Sequence, residues 1–398
     1  MLSEHPDTVA VHAGRLEIPA NTASSPPLFQ ASSYEFADLA DVEAIYQGER
    51  RGAIYGRYGG PNTAQFERAI AELEGAEAAV GAAAGVAAIN AALATNLRAG
   101  DTVLAGRELY GGTYSLLEND YRTRGVDVAY VDQQDLRAVA AALQQARPKV
   151  LYLEALTNPL MRVPDLAALA QLGHEAGAVV VVDATFATPI LLRPLDLGVD
   201  LVAHSVGKYI GGHGDVGAGV LAGRAGLVGR ARALLVRTGA MLPHFEAWLA
   251  LRGLRTLALR MARHSSNAVA VASFLASSPH VRRVHHPSRP SHPEHELAKR
   301  LYSRGTGGIV AFDLTDARAV DPFLHGLERI AIVHSLGEVA TTISYPAVGS
   351  HRSLPQEQRL SLGVSDATLR ISVGIEDPED IRRDLAGALA GLDAERSA

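Results

Sequence analysis

The chain has 398 residues, of which 47% are hydrophobic and 20% charged, with a formal charge of −6 and no cysteine. The acidic balance, with no long Lys/Arg run, argues against a nucleic-acid partner, and the missing thiols exclude disulfides, thiolate metal sites and cysteine nucleophiles. Residues 1–7 hold neither a basic segment nor an apolar stretch, and no run reaches the roughly 20 apolar residues of a membrane helix, so the expectation is a soluble, cytoplasmic protein without a membrane partner.

The length exceeds one small core and predicts two domains, the first larger. Residues 1–55 lack sustained periodicity and contain Pro19, Pro26 and Pro27. They read as an irregular arm that packs on something else. Asn62 or Thr63 then caps a helix in which Phe66, Ile70 and Leu73 recur at helical spacing, ending at Gly75. Short apolar runs at 102–105, 126–131, 150–154, 179–183 and 201–204 alternate with helical patterns at 86–97, 136–145 and 166–176. Strands buried on both faces and followed by helices predict an α/β fold with a mostly parallel central sheet, whose ligands sit outside the carboxyl ends of the strands. A long helix over about 245–275 leaves this unit. Strand-like 309–314 and 369–373, with a helical 379–392, predict a smaller C-terminal α/β domain. The expected division is an arm at 1–55, a cofactor-binding domain at 56–245, and a connecting helix with the C-terminal domain at 246–398.

Chemistry gathers at two of these strand ends. Asp183 ends the apolar run 178–182, and 25 residues later Lys208 lies in Ala-His-Ser-Val-Gly-Lys-Tyr. A carboxylate at a strand tip, followed by a strand feeding a Ser-x-x-Lys turn, is what a pyridoxal phosphate enzyme needs: the aspartate holds the pyridine-nitrogen proton and the lysine closes the Schiff base. A free lysine is a poor nucleophile at neutral pH, so its site must lower its pKa by burial or nearby positive charge. The run 81–86, Gly-Ala-Ala-Ala-Gly-Val, leads from a short strand into a helix whose N–H groups can approach a phosphate. Taken singly, each residue has an ordinary reading: a surface lysine, a capping aspartate, a half-buried Tyr110, an Arg370 on an alternating strand, and loop residues Tyr55 and Arg57. The cluster His285, His286, His292 and His295 suggests zinc. Pro287, Pro290 and Pro293 interrupt any helix that would align it, and no third-ligand pattern follows, so no metal is predicted. A nicotinamide dehydrogenase is disfavoured, because no Gly-x-Gly-x-x-Gly turn follows the first strand.

The strings YGRYGGPNTAQFERAIAELEGAEAA, ELYGGTY, EALTNPLMRVPDL, VVVDATFATP, HSVGKYIGGHGD and LRISVGIEDPEDI closely resemble the Cys/Met-metabolism family of pyridoxal phosphate enzymes. The likeness runs in order from about residue 8 to 392. It implies an aspartate-aminotransferase-like fold (fold type I), an amino-acid substrate, and a homotetramer built as a dimer of dimers with shared sites. It implies Lys208 as Schiff-base lysine and proton carrier, Asp183 on the pyridine nitrogen, and Tyr110 stacked on the ring. Gly85, Val86 and Ser205 would hold the phosphate, with Tyr55 and Arg57 reaching that of a neighbouring subunit. Arg370, assisted by Asn158 and Ser335, would clamp the substrate carboxylate. The implied activity is γ-elimination or γ-replacement on sulfur amino acids or homoserine esters, cystathionine γ-lyase or γ-synthase-like. Methionine γ-lyase, cystathionine β-lyase and O-acetylhomoserine sulfhydrylase are alternatives within the family, and an inactive cofactor-binding relative is the alternative outside catalysis. Around the cofactor the chain departs from the family pattern at Ala84, where serine is usual, at Ala184, where asparagine is usual, and at Gly207, where threonine is common. It also departs at two substrate markers: Gly112 where methionine γ-lyases carry cysteine, and substrate-facing His334 where cystathionine γ-enzymes carry glutamate.

Overall fold

The computed structural model describes residues 5–14, 23–50, 52–352 and 354–396; Pro19 of the expected arm and residues 1–4 lie outside them. The arm is less irregular than its sequence suggests. It holds helices Pro6–His12 and Leu39–Tyr46, too short for a periodicity to develop. The next helix runs Pro61–Glu74 and is capped by extended Gly60 rather than by Asn62 or Thr63. Proline brings a fixed φ and no N–H to lose, so it starts the helix itself. Asn62 instead ties the arm down: its Oδ1 accepts from the Phe29 N–H and its Nδ2 donates to the Pro27 carbonyl, both at 2.8 Å. The helix buries Phe66, Ile70 and Leu73 and ends at Gly75, whose φ of 67° makes the left-handed cap.

Seven strands form the larger sheet: β1 Ala78–Ala82, β2 Thr102–Gly106, β3 Asp127–Val131, β4 Val150–Glu154, β5 Val179–Asp183, β6 Leu201–Ser205 and β7 Gly219–Gly223. In space they run β1-β7-β6-β5-β4-β2-β3. β7 runs opposite to the other six strands. Alternate residues feed two cores: Leu151, Leu153, Val180 and Val182 one face, Val150, Tyr152 and Val181 the other. Burial on both faces explains the unbroken apolar runs. Glu154, Asp183 and Ser205 all end strands at the carboxyl edge, with Glu154 opposite Asp183 in the β4–β5 register.

The stretch expected as one long helix is two, His244–Leu254 and Leu257–Ala276. The break comes where Gly253 packs on backbone: a Cβ there would lie 2.4 Å from the Gly211 carbonyl oxygen. Arg260, from the second helix, donates to the Gly253 carbonyl at 2.8 Å, where the Thr256 N–H also donates at 3.2 Å, so the first helix's end is satisfied across the break. Beyond it a second sheet forms from β8 Val281–His285, β9 Ile309–Leu314, β10 Ala331–Ile332, β11 Thr342–Ser344 and β12 Thr368–Ser372, ordered β10-β11-β12-β9-β8. Helix Pro378–Arg396 follows it, and Ile381, Leu385 and Leu389 from that helix join the sheet's own apolar core. Among the described residues no helix is long and apolar enough to cross a membrane.

Candidate active site

Between the carboxyl edge of the larger sheet and the second sheet lies a cleft of about 570 Å³, lined among others by Gly85, Val86, Tyr110, Asn158, Asp183, Ser205, Lys208, His334 and Arg370. Lys208 stands on the connection from β6 to antiparallel β7. Its Nζ donates to Ser335 Oγ at 2.8 Å. Burial lowers the amine's pKa, the Arg370 charge lowers it further, and Glu338 pulls it back up. Asp183 is reachable from the cleft although it lies deep in the fold. Its Oδ1 accepts from the Thr185 N–H at 2.9 Å, and its pKa is raised by burial against the opposing pull of Thr185 and His204.

Arg370, on β12, is only 3% exposed, and its Nη1 donates to Asn158 Oδ1 at 2.9 Å. Burial depresses its pKa to about 10, where it stays charged. Its Nε is buried without a partner among the described residues, a donor left over for an incoming carboxylate. Tyr110 follows β2 with its side chain 44% exposed, while its N–H donates to Glu154 Oε1 at 2.5 Å.

The helix Gly85–Ala94 points its N-terminus into the same cleft. Its first bond runs from the Ala88 N–H to the Ala84 carbonyl, so the N–H groups of Gly85, Val86 and Ala87 have no helical acceptor. Ala84 supplies no side-chain cap. A Cβ on Gly85 would come within 2.7 Å of Ser205 Cβ, so only glycine lets this turn close against the strand end. Free donors at a helix N-terminus, the Ser205 hydroxyl, a buried carboxylate and a depressed amine in one cleft fit pyridoxal phosphate. The departure at Gly207 has a steric cause: a Cβ there would lie 2.3 Å from the Val216 carbonyl oxygen.

The expected site residues therefore converge, with Tyr55 and Arg57 as exceptions. Both stand away from this cleft, Tyr55 46% exposed, with an Arg57 Nη1 donating to the Val236 carbonyl at 3.0 Å. The four clustered histidines are engaged elsewhere: His285 with Asp313, His286 with Ser288, His292 with Glu294 and His295 with the Pro287 carbonyl. Among the described residues no group of three His, Cys, Asp or Glu side chains is arranged for a metal ion. Sequence reasoning missed Glu154, Thr185 and Arg352, which also line the cleft. Two of the three had a signal, since Glu154 ends a predicted strand and Thr185 follows Asp183 by two; Arg352 had none.

The chain matches the family model described as Cys/Met metabolism PLP-dependent enzyme over residues 7–390. It is 41% identical over 387 residues to the O-succinylhomoserine sulfhydrylase of Pseudomonas aeruginosa, covering 97% of this chain and 95% of that one. It is 40% identical over 385 residues to the L-methionine gamma-lyase of Pseudomonas putida, covering 96% of each. Among solved structures, cystathionine gamma synthase from Xanthomonas oryzae pv. oryzae, in complex with aminoacrylate and cysteine, superposes with a TM-score of 0.92 at 36% identity over 98% of both chains. With the cleft's donor set and the fold in agreement, the chain belongs to the Cys/Met metabolism family of pyridoxal phosphate-dependent enzymes.

Proposed function

We propose that this enzyme eliminates or replaces the γ-substituent of a homoserine ester or related sulfur amino acid, with Lys208, Asp183, Tyr110 and Arg370 as its working side chains. The carrying observation is that a depressed lysine amine, a buried aspartate and a half-satisfied arginine face one cleft. When bound, pyridoxal phosphate supplies the electron sink for charge developed at the substrate's Cα. Gly85, Val86 and Ser205 hold its phosphate and Asp183 keeps a proton on its ring nitrogen. Arg370 and Asn158 bind the substrate carboxylate and fix which Cα–H faces Lys208. The Lys208 amine takes that proton and shuttles protons at Cα and Cβ, while Ser335 orients it. Tyr110, at the cleft's open side, donates a proton to the departing γ-group.

Gly112 speaks against the methionine γ-lyase variant. A Cβ there would meet Tyr110 Cε1 at 2.4 Å, so a cysteine would require the exposed Tyr110 ring to turn aside. The visible spectrum, followed by turnover of O-succinylhomoserine, O-acetylhomoserine, cystathionine and methionine with and without a thiol, tests the reading. A yellow protein that releases 2-oxobutanoate or forms a thioether supports it. A colourless protein that takes up no pyridoxal phosphate ends it, and a yellow protein inert on all four favours the inactive cofactor-binding relative.

We also propose a cytoplasmic homotetramer built as a dimer of dimers, with residues 1–55 as an arm packed on the neighbour, 56–245 as the cofactor-binding domain and 246–398 as the C-terminal domain. Leu28, Phe29, Leu39, Tyr46, Tyr55 and Tyr58 expose apolar surface along or just beyond the arm. Tyr55 and Arg57 then complete the partner's phosphate site. Mixing inactive Arg57→Ala and Lys208→Ala proteins restores activity if sites are shared, and leaves it absent if each subunit is self-sufficient.

A further inference from the structure

Beyond the working side chains, the cleft holds, among the described residues, one cation without a task. Arg352 lines the cleft together with Lys208, Asn158, His334 and Arg370, and it also lines a shallower groove of about 490 Å³ with Tyr110, Gly111, Gly112, Gly349 and Ser350. The two spaces meet at Tyr110. Arg352 is exposed, and among the described residues no carboxylate pairs with its guanidinium. Its backbone is held: its N–H donates to the Gly349 carbonyl at 3.2 Å, and the Gly349 N–H returns to the Tyr345 carbonyl at 3.0 Å. The preceding His351 is 2% exposed and bonded to Ser350 Oγ at 2.9 Å, which anchors the turn. A Cβ on Gly111 would lie 2.3 Å from the Ser350 carbonyl oxygen, so this turn seats directly on the loop that carries Tyr110.

Charge accounting shows what Arg352 faces. An amino-acid substrate satisfies Arg370 with its α-carboxylate, and the cofactor phosphate satisfies the helix N-terminus. The acids that line the cleft do not compensate a third cation from within. Glu154 has its pKa raised well above the usual carboxylate range by burial and by Asp183, and Asp183 serves the ring nitrogen. Arg352 instead lines both spaces where they meet at Tyr110, the proposed proton donor to the leaving group.

We propose that Arg352 is a specificity residue that binds a carboxylate carried on the γ-substituent, so that the preferred substrates bring two carboxylates into the cleft: a dicarboxylic acyl ester of homoserine, or a thioether whose far half is itself an amino acid. The inference rests on the γ-substitution reading above and deepens it to a substrate class. An arginine gives two parallel donors to such a group, and a charge-assisted contact at a partly open site is worth about 10-fold to 100-fold in kcat/KM.

The test compares matched pairs on the cofactor-loaded enzyme: O-succinylhomoserine against O-acetylhomoserine with one thiol, and cystathionine against methionine. Wild type, Arg352→Ala, Arg352→Lys and Arg352→Glu are each measured, with the visible cofactor band as the check on folding. The expected result is a preference for the carboxylate-bearing member that falls about 10-fold to 100-fold in Arg352→Ala, mainly through KM, recovers partly in Arg352→Lys and falls furthest in Arg352→Glu. A fall confined to the ester pair identifies the acyl group as the source, and one confined to the thioether pair identifies the cysteinyl half. Unchanged ratios in both pairs, or a wild type that prefers the neutral members, overturn the assignment of Arg352 and leave γ-substitution standing. A wild type inert on all four substrates brings down both.

Discussion

The backbone N–H of Tyr110 donates to Glu154 Oε1 at 2.5 Å, joining the loop after β2 to the tip of β4 at the floor of the cleft. Glu154 also stands opposite Asp183 in the neighbouring strand. Burial and the Asp183 charge raise its pKa well above the usual carboxylate range, which favours a protonated acid that accepts through one oxygen. Glutamine keeps that acceptor and its shape, so Glu154→Gln is expected to stay within about 3-fold of wild type in kcat. Glu154→Ala orphans the Tyr110 amide at a cost of about 1–3 kcal/mol, and is expected to lower kcat about 10-fold or more with the cofactor band retained. Equal damage from both substitutions would show that the carboxylate charge matters, not the acceptor.

Lys208 carries a pH prediction. Burial and the Arg370 charge lower its pKa, while Glu338 raises it. Removing Glu338's charge takes away the raising influence, so the amine is deprotonated at lower pH in Glu338→Gln. The rate at which cofactor-free enzyme takes up pyridoxal phosphate should then rise with pH through a midpoint lower than in wild type. A midpoint that moves upward would place the Glu338 charge in a different role.

The strand ends that carry this chemistry were legible because both-sided burial writes itself as uninterrupted apolar runs. Val150–Glu154 and Val179–Asp183 match the sequence bounds, and each ends on the carboxylate that enters the cleft. Antiparallel β7 was not legible: Gly219–Gly223 is bounded by glycines, and its reversed direction is set by its seat between β6 and β1, which no pattern in its own residues reports. The helix break at Arg255–Thr256 is set by the approach of Gly253 to the Gly211 carbonyl, a tertiary contact that no periodicity reports. Arg352 entered the cleft the same way. Its turn is fixed by contacts to the Tyr110 loop, more than two hundred residues earlier, and not by any pattern around it.

Gly207 offers a test in which restoring the family residue should do harm. A threonine there would bring its hydroxyl near the phosphate, but its Cβ would start 2.3 Å from the Val216 carbonyl oxygen. That atom belongs to backbone, and the connection it sits on also carries Lys208 between β6 and β7. Relief must therefore move the lysine's own turn. Gly207→Thr is expected to lose about 1–3 kcal/mol of stability by overpacking and to bind pyridoxal phosphate more weakly. Tighter cofactor binding in a fluorescence titration would mean that the added hydroxyl outweighs the displacement.

Buried histidines set the acid limit of the fold. Burial pushes His264 and His351 down to about 4 and His286 to about 3, against an ordinary value of 6.5. A histidine kept neutral by the fold binds its proton more readily once unfolded, so between pH 6.5 and about 4 the unfolded chain holds more protons. Stability is thus complete above 6.5 and falls as pH drops through that window, by up to about 1.4 kcal/mol per pH unit for each histidine. His264 isolates one share of this slope. Its Nδ1 is bonded to the Val373 carbonyl at 2.7 Å and its Nε2 is buried without a partner among the described residues, so the neutral ring donates once and has no use for a second proton. Asparagine supplies a donor near Nδ1 and cannot titrate. His264→Asn should therefore lose stability near pH 7, where the ring's packing against Tyr209 at 5.1 Å is gone, yet show a shallower decline on acidification. Urea unfolding of the cofactor-loaded protein from pH 7 to 4.5 reads both quantities. A wild-type curve that stays flat across this window would show that these rings accept protons without disturbing the fold.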